Sequence, residues 1–429
     1  MALNVWFVPS NSSHTKKNRL LLDRLHAAGC QVCILCLDDV QDGIHSTREQ
    51  AAATGYPVVD FPRGGFRPCR HWLGEALQRH GLARTARALV KSHSVDVMVF
   101  GADTAVVSRT IGRVARECGV FTVLIMDGLV LPSNPACGQG LVSAARRAAG
   151  AAVQRLLYHG GPSGTSGADL VLAMSETARQ VLIGRGVPPE RVRVVGSPEY
   201  DELARRAQQE DFLAAGQRVR QRLGIDPRRA VLFFAHQDTM PLEAQRQLVL
   251  DMVQAARPCG AAVLVKFHPR GDQWPAEWQP WAAAQGLAPA DVVFTRDECT
   301  SIEAVQACQA CVTVFSTVSL EAMICGKPLV VVQYADAPEM LTYADQYGAA
   351  MDARSAVELK AAIVAVLTRP QERQRLLGNA QTALQHELCG PDGKSADRIV
   401  GAILQAPCRH SAGVARDPRN PKCSAKPTN

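Results

Sequence analysis

The chain is expected to be an α/β protein built from two Rossmann-like, doubly wound domains facing a cleft, and three observations predict it. Short apolar runs bounded by Gly, Pro or polar turns alternate with longer stretches whose apolar residues recur at three- and four-residue spacing. The alternation breaks once, in a charged stretch just past the middle, and then restarts. With 429 residues the chain is also too long for one ordinary domain. Strands alternating with helices imply parallel sheets covered on both faces.

In order, the strand candidates of the first half are LNVWFV, QVCILCL, VDVMVF, FTVLIM, DLVLAM and VRVVG. Intervening segments such as KKNRLLLDRLHAAG and TAVVSRTIGRVARECG carry a helical apolar stripe and end near glycine. Residues 1–200 therefore form a first domain, and the charged residues 201–228 read as solvated helices joining two units. A second domain, 229–385, follows with AVLFFAH, AAVLVKF, DVVFT, ACVTVF and PLVVVQ. A terminal helix within 386–405 comes next, and residues 406–429, polar and rich in proline, are expected to be disordered.

Composition narrows the function. A hydrophobic fraction of 47% and a charged fraction of 20% are those of a soluble globular protein. The opening MALNVWFVPSN turns polar at once and reads as a first strand rather than a secretory leader, and no run reaches the ~18 apolar residues of a membrane span. A cytoplasmic protein is expected. Net charge is +7, from 47 basic against 40 acidic residues, and the aromatic residues do not interleave with basic runs. That argues against nucleic acid and leaves room for peripheral contact with anionic lipid at the inner membrane face. Among 14 cysteines, Cys30, Cys33 and Cys36 have suggestive spacing, but strand alternation puts Cys33 on the opposite face from the other two. Buried reduced thiols are expected instead of a cluster or disulfides.

Open parallel sheets bind ligands beyond the carboxyl ends of their strands, so the informative residues follow strands. Gly101, Ala102 and Asp103 follow VDVMVF, and Asp127 with Gly128 follows FTVLIM. Gly196 closes VRVV at the domain junction. In the second half Gln237 follows AVLFFAH, His268 and Arg270 follow AAVLVKF, and Ser316, Thr317, Ser319 and Glu321 follow ACVTVF. Hydroxyls ahead of a helix suit a phosphate, and a carboxylate one turn further in suits ribose hydroxyls. Lys266 and Arg270 beside His268 raise the local potential and attract a phosphate rather than a metal. Neither a GxGxxG after a first strand nor a GxxxxGK[ST] is present, which disfavours dehydrogenases and P-loop enzymes.

Lys266-Phe267-His268-Pro269-Arg270, the run Ser316 to Pro328, Gly196-Ser197-Pro198 with Tyr200-Asp201, and Asp392-Gly393-Lys394-Ser395-Ala396 resemble the GT-B glycosyltransferases. The closest likeness is to the bacterial capsule and surface-polysaccharide branch, including polysialyltransferase-like, Kdo-transferase-like and CDP-glycerol glycerophosphotransferase-like proteins. The resemblance implies a GT-B fold whose final helix packs back on the first domain. It further implies metal-independent, inverting transfer of a sugar or polyol phosphate from a CMP-, CDP- or UDP-activated donor to a glycan or lipid-linked acceptor, without a bound cofactor. His268 would contact the donor phosphate or assist the leaving group, Ser316, Thr317 and Ser319 would hold phosphate and nucleotide, and Glu321 the ribose, with nucleotide specificity set by base contacts from loops such as His236-Gln237-Asp238. Such a reaction also needs a base from the first domain, for which Asp127 ranks first, Asp103 second and His14 third. Two competing readings share the architecture: a UDP-N-acetylglucosamine 2-epimerase, which needs several first-domain carboxylates, and a non-catalytic nucleotide-sugar binder.

Overall fold

The computed structural model describes residues 2–41, 47–69, 72–126, 128–130, 162–209, 211–237, 240–268, 274–334, 341 and 343–407. The first sheet contains β1 (Asn4–Val8), β2 (Gln31–Cys36), β3 (Val58–Asp60), β4 (Val97–Phe100), β5 (Phe121–Ile125), β6 (Leu170–Ala173) and β7 (Val192–Val194). Their order is β3-β2-β1-β4-β5-β6-β7, and every recorded pairing is parallel. The second sheet contains β8 (Ala230–Ala235), β9 (Ala261–Lys266), β10 (Val292–Thr295), β11 (Ala310–Thr313), β12 (Leu329–Val332) and β13 (Ala350–Ala353). Its order, β10-β9-β8-β11-β12-β13, repeats the first. Strand order therefore reverses between β1 and β4 in one sheet and between β8 and β11 in the other, which opens a crevice at each carboxyl edge.

Both faces of each sheet are covered, which is why the strands read as continuous apolar runs. In β1, Trp6 and Val8 enter one core while Val5 and Phe7 enter the core on the opposite face. In β8, Val231 and Phe233 face one way and Leu232 and Phe234 the other. Cys30 and Cys33 likewise fall into different cores, and the cysteines described are free thiols. Strands β3 and β13 were not among the sequence candidates. Both are edge strands, of three and four residues, and a half-exposed edge carries too little apolar signal to stand out.

The charged stretch after β7 is not a solvated linker. Leu203 from the helix Pro198–Ala207, Phe212 and Val219 from the helix Asp211–Arg222, and Ile225 are buried in the core of the second domain. Each buried side chain of this size stabilises by roughly 1.5–3 kcal/mol. Arg220 is buried with them, its Nε donating to the Ala307 carbonyl at 2.6 Å and its guanidinium to Gln309 Oε1 at 2.8 Å. A single apolar stripe thus anchors a segment whose other faces carry the charge.

The chain returns to the first domain at its end. The helix Pro370–Leu388 stops at Cys389 in the left-handed conformation, and the helix Ser395–Leu404 places Ile399, Val400 and Ile403 in the core formed by Leu21, Leu22 and Leu25. Ser395 N donates to Asp201 at 2.8 Å, Arg398 Nε donates to the Val195 carbonyl at 2.9 Å, and Arg24 pairs with Asp397. Gly196, proposed from sequence as a ligand contact, serves this junction instead. Its φ is +79°, and a Cβ there would lie 2.4 Å from Ser395 Oγ and 3.0 Å from the Leu388 carbonyl. Among the described residues, no helix is long and apolar enough to cross a membrane.

Candidate active site

The carboxyl ends of the two sheets meet through residues that follow β1, β7 and β11. Asn11 caps the helix Ser12–Lys17, its side chain accepting from His14 N at 3.0 Å, and this fixes the turn after β1. His14 Nδ1 lies 2.8 Å from Ser10 Oγ and packs on Gly101 at the end of β4. A Cβ at residue 101 would sit 2.4 Å from that nitrogen, so the glycine is what admits the imidazole at the β1/β4 crevice. One turn on, Lys17 Nζ reaches Glu199 at 2.8 Å, on the helix that follows β7.

Glu321 meets this pair from the other domain. It lies in the first turn of the helix Val318–Ile324, and its Oε2 is buried with no hydrogen-bond partner among the described residues. Burial, reinforced by the nearby Glu199 carboxylate, pushes its carboxyl up to about 7, against the opposing effects of the Ser301 hydroxyl and Lys17. The carboxyl is therefore poised near neutrality. A ligand that donates hydrogen bonds to it would satisfy the orphaned oxygen and favour its ionised form.

At the same carboxyl edge of the second sheet stand Gln237 after β8, His268 after β9, and Ser316 and Thr317 after β11. Gln237 Oε1 accepts from Phe315 N at 2.9 Å and so ties the loops after β8 and β11 together at their crevice. Ser316 and Thr317 are half-buried and His268 is exposed at the end of β9. The backbone around the hydroxyls is partly used internally: Ser316 Oγ accepts from Val318 N at 3.3 Å and the Ser316 carbonyl from Ser319 N at 3.0 Å. His236, expected from sequence to lie with Gln237 in a base-contacting loop, is buried edge-on to Phe267 and Trp278. Burial pushes its imidazole down to about 4, opposed by a hydrogen bond with Gln245, and it is neutral at physiological pH.

Three expected contacts are corrected by their surroundings. Asp103 is buried, and its two oxygens accept from Gly164 N at 2.9 and 3.1 Å, Ser166 N at 3.0 Å and Ser163 Oγ at 3.2 Å, with Arg109 4.0 Å away. Its lone pairs hold the loop 163–166, so it is a clamp and not an available base. Lys266 is buried and its ammonium donates to the Arg296 carbonyl, which spends it on fixing the turn after β10 instead of a phosphate. Ser319 is fully buried, its hydroxyl donating to the Ser316 carbonyl at 2.7 Å. Asp127, Asp238 and Arg270 lie outside the described residues.

Lys17, Glu199 and Ser301 were missed from sequence, although Lys17 and Glu199 follow strands as the other candidates do. Among the described residues, no group of three or more His, Cys, Asp or Glu side chains is placed to hold a metal ion.

A family model described as UDP-N-acetylglucosamine 2-epimerase matches residues 164–404, and one described as a glycosyl transferase 4-like domain matches residues 17–198. Curated protein sequences return no match. Among solved structures, Anabaena HepE in complex with UDP aligns at 16% identity and a TM-score of 0.58, covering 94% of this chain and 100% of its own. UDP-GlcNAc 2-epimerase from Neisseria meningitidis bound to UDP-GlcNAc aligns at 13% identity and 0.61, covering 94% and 100%. A glycosyltransferase from Rickettsia africae aligns at 10% identity and 0.61, covering 95% and 100%. At these identities the likeness is one of fold, the two-domain GT-B type.

Proposed function

Because the chain belongs to the UDP-N-acetylglucosamine 2-epimerase family, with more than half its length inside that family's model, we propose that it acts on a nucleoside-diphosphate sugar as a glycosyltransferase. One observation carries the choice of transfer over epimerisation. The epimerase model aligns with the half that would hold the nucleotide, whereas residues 17–198, which would face the sugar, align with a glycosyltransferase domain. The locked state of Asp103 supports the same choice, since an epimerase draws on several first-domain carboxylates and this one is spent on the loop 163–166.

In this reading the ribose diol donates to Glu321, filling the valence its Oε2 leaves open, and Ser316, Thr317 and His268 receive the diphosphate. The acceptor hydroxyl loses its proton to a first-domain base, attacks the anomeric carbon, and the bond from that carbon to the phosphate oxygen breaks, releasing the nucleoside diphosphate. Asp127 and His14 are the candidates for the base; His14 has the described geometry, set by Ser10 and Gly101 at the crevice. The bound ligands of the Anabaena and Neisseria structures favour UDP as the carrier. A surface-polysaccharide or lipid-linked acceptor at the inner membrane face suits the net charge of +7.

Epimerisation is the second reading, favoured by the extent of the family match. The two separate in one assay. With UDP-GlcNAc alone, NMR follows the sugar C2 proton; conversion to the C2 epimer without any acceptor overturns the transferase reading. Release of UDP only when a glycan acceptor is added, and its loss in His268→Ala, is the result expected.

A further inference from the structure

We propose that the stripe running from Leu73 through Leu77 to Arg84 on the first domain is a docking surface for an anionic lipid bilayer, an assignment that rests on the lipid-linked acceptor proposed above. Residues 61–92 hold seven lysines and arginines and a single acid, Glu75, a net +6 where the whole chain carries +7. The rest of the chain is thus close to neutral, and the excess charge is concentrated in one short segment after β3.

The helix Trp72–Leu77 runs into the helix Arg79–Ser92 with only Gln78 between them, and Gln78 keeps the right-handed helical conformation. Hydrogen bonds from Gln78 N to the Gly74 carbonyl and from Leu82 N to the Gln78 carbonyl, both 3.3 Å, carry the path across. Leu82, Ala86, Leu89 and Val90 enter the core. The opposite side shows Leu73, Leu77, His80, Arg84, Arg87 and Lys91, all exposed and spaced by three or four residues. Leu77 is 83% exposed, more than any other large apolar side chain described, and Leu73 is 52% exposed. The preceding loop adds to the basic border. Arg67 N donates to Gln78 Oε1 at 2.5 Å, and a Cβ at Gly64 would lie 2.1 Å from Thr85 Oγ1, so the exposed Arg67 and Arg63 are held along the same helices. Asp39, whose carbonyl accepts from Arg63 Nε at 3.1 Å, has its carboxylate paired with Arg48.

Leucines open to water and bordered by guanidinium groups suit the bilayer interface, where the apolar side chains enter the acyl boundary and the cations meet headgroup phosphates. A soluble polyanion would engage the cations and leave both leucines in water. A second copy of the chain would set +6 against +6, so like-charge repulsion opposes pairing through this face. The location also fits. A helix that follows a strand of a parallel sheet starts at the carboxyl edge, so Leu73 and Leu77 stand at the crevice end of the first domain and Lys91 at the far end. A bilayer resting on the leucines would bring a lipid-borne acceptor to the mouth of the crevice.

The test uses the full chain in sedimentation with vesicles of phosphatidylcholine alone and of phosphatidylcholine mixed equally with phosphatidylglycerol. Binding to the anionic vesicles only, weakening as salt is raised, is expected of the native chain. Arg67→Gln combined with Arg84→Gln should weaken it roughly 25-fold, about fivefold for each charge removed. Leu73→Ser combined with Leu77→Ser should weaken it by about tenfold or more. All four side chains are exposed, and matching thermal unfolding checks that both variants fold; the salt series needs no variant. A native chain that fails to bind anionic vesicles, or binds both kinds alike, overturns the surface. So does a leucine variant that binds as the native chain does, the result expected of a polyanionic glycan partner, and so does a native chain that dimerises through these leucines instead of binding vesicles. Calorimetry with UDP in the absence of vesicles separates this surface from the nucleotide-sugar reading, since both variants should bind UDP as the native chain does. A native chain that binds UDP but no vesicles overturns the surface alone; one that binds anionic vesicles but neither UDP, CDP nor GDP keeps the surface and overturns the nucleotide-sugar reading.

Discussion

Replacing Glu321 with Gln should change how stability responds to pH, and the sign follows from burial. The carboxyl is pushed from its ordinary 4.5 to about 7 in the folded protein, first by desolvation and then by Glu199. Between those two values the folded chain holds a proton that the unfolded chain has released, so stability falls as pH rises through the window and levels off above 7. The gap corresponds to about 3 kcal/mol. Glutamine has the shape of the protonated acid and titrates nowhere, so Glu321→Gln should lose this decline and gain about 3 kcal/mol on the native protein between pH 4.5 and 8. Urea unfolding at a series of pH values, followed by tryptophan fluorescence, measures the difference; three of the five tryptophans, Trp274, Trp278 and Trp281, report on the second domain. Parallel pH profiles for the two proteins would refute the argument. A ribose diol that donates to the carboxylate favours its ionised form, so UDP affinity should rise through pH 7 in the native protein and stay flat in the variant.

Two further substitutions test the corrected assignments. Asp103→Asn should leave one of the buried donors at Gly164, Ser166 or Ser163 without its acceptor and cost about 1–3 kcal/mol, with faster hydrogen exchange at the Gly164 and Ser166 amides; lost turnover at unchanged stability would instead restore Asp103 as the base. Gly196→Ala should destabilise by about 1–3 kcal/mol from the positive φ alone, with more from the contacts to Ser395 and Leu388, seen as a lower melting temperature and exchange of amides across 395–404.

Much of the architecture is legible along the chain. Eleven apolar runs read as strands coincide with strands of the two sheets, because a strand covered on both faces must be apolar throughout, whatever its neighbours. The crevice residues are legible for a related reason: a position directly after a strand is a local property, so His268, Ser316, Thr317 and Glu321 could be picked out, and the same rule extended would have reached Lys17 and Glu199. What misled was composition averaged over a segment. Residues 201–228 look solvated because charges dominate the count, yet Phe212 and Val219, seven residues apart on one helical face, anchor the segment in the core.

By itself, then, the sequence determined the order of strands and helices, the two-domain plan and the list of polar groups standing at strand ends, since each depends on residues close together in the chain. Only the tertiary structure decided which of those groups are open to a ligand. Asp103 is closed by donors some sixty residues downstream, Lys266 by a carbonyl thirty residues away, and Glu321 is made neutral-poised first by burial and then by a carboxylate from the helix after β7. A hydrogen-bond partner or a desolvating wall contributed by a distant segment leaves no local pattern, and it is these partners that set whether a side chain clamps a loop or waits for a substrate.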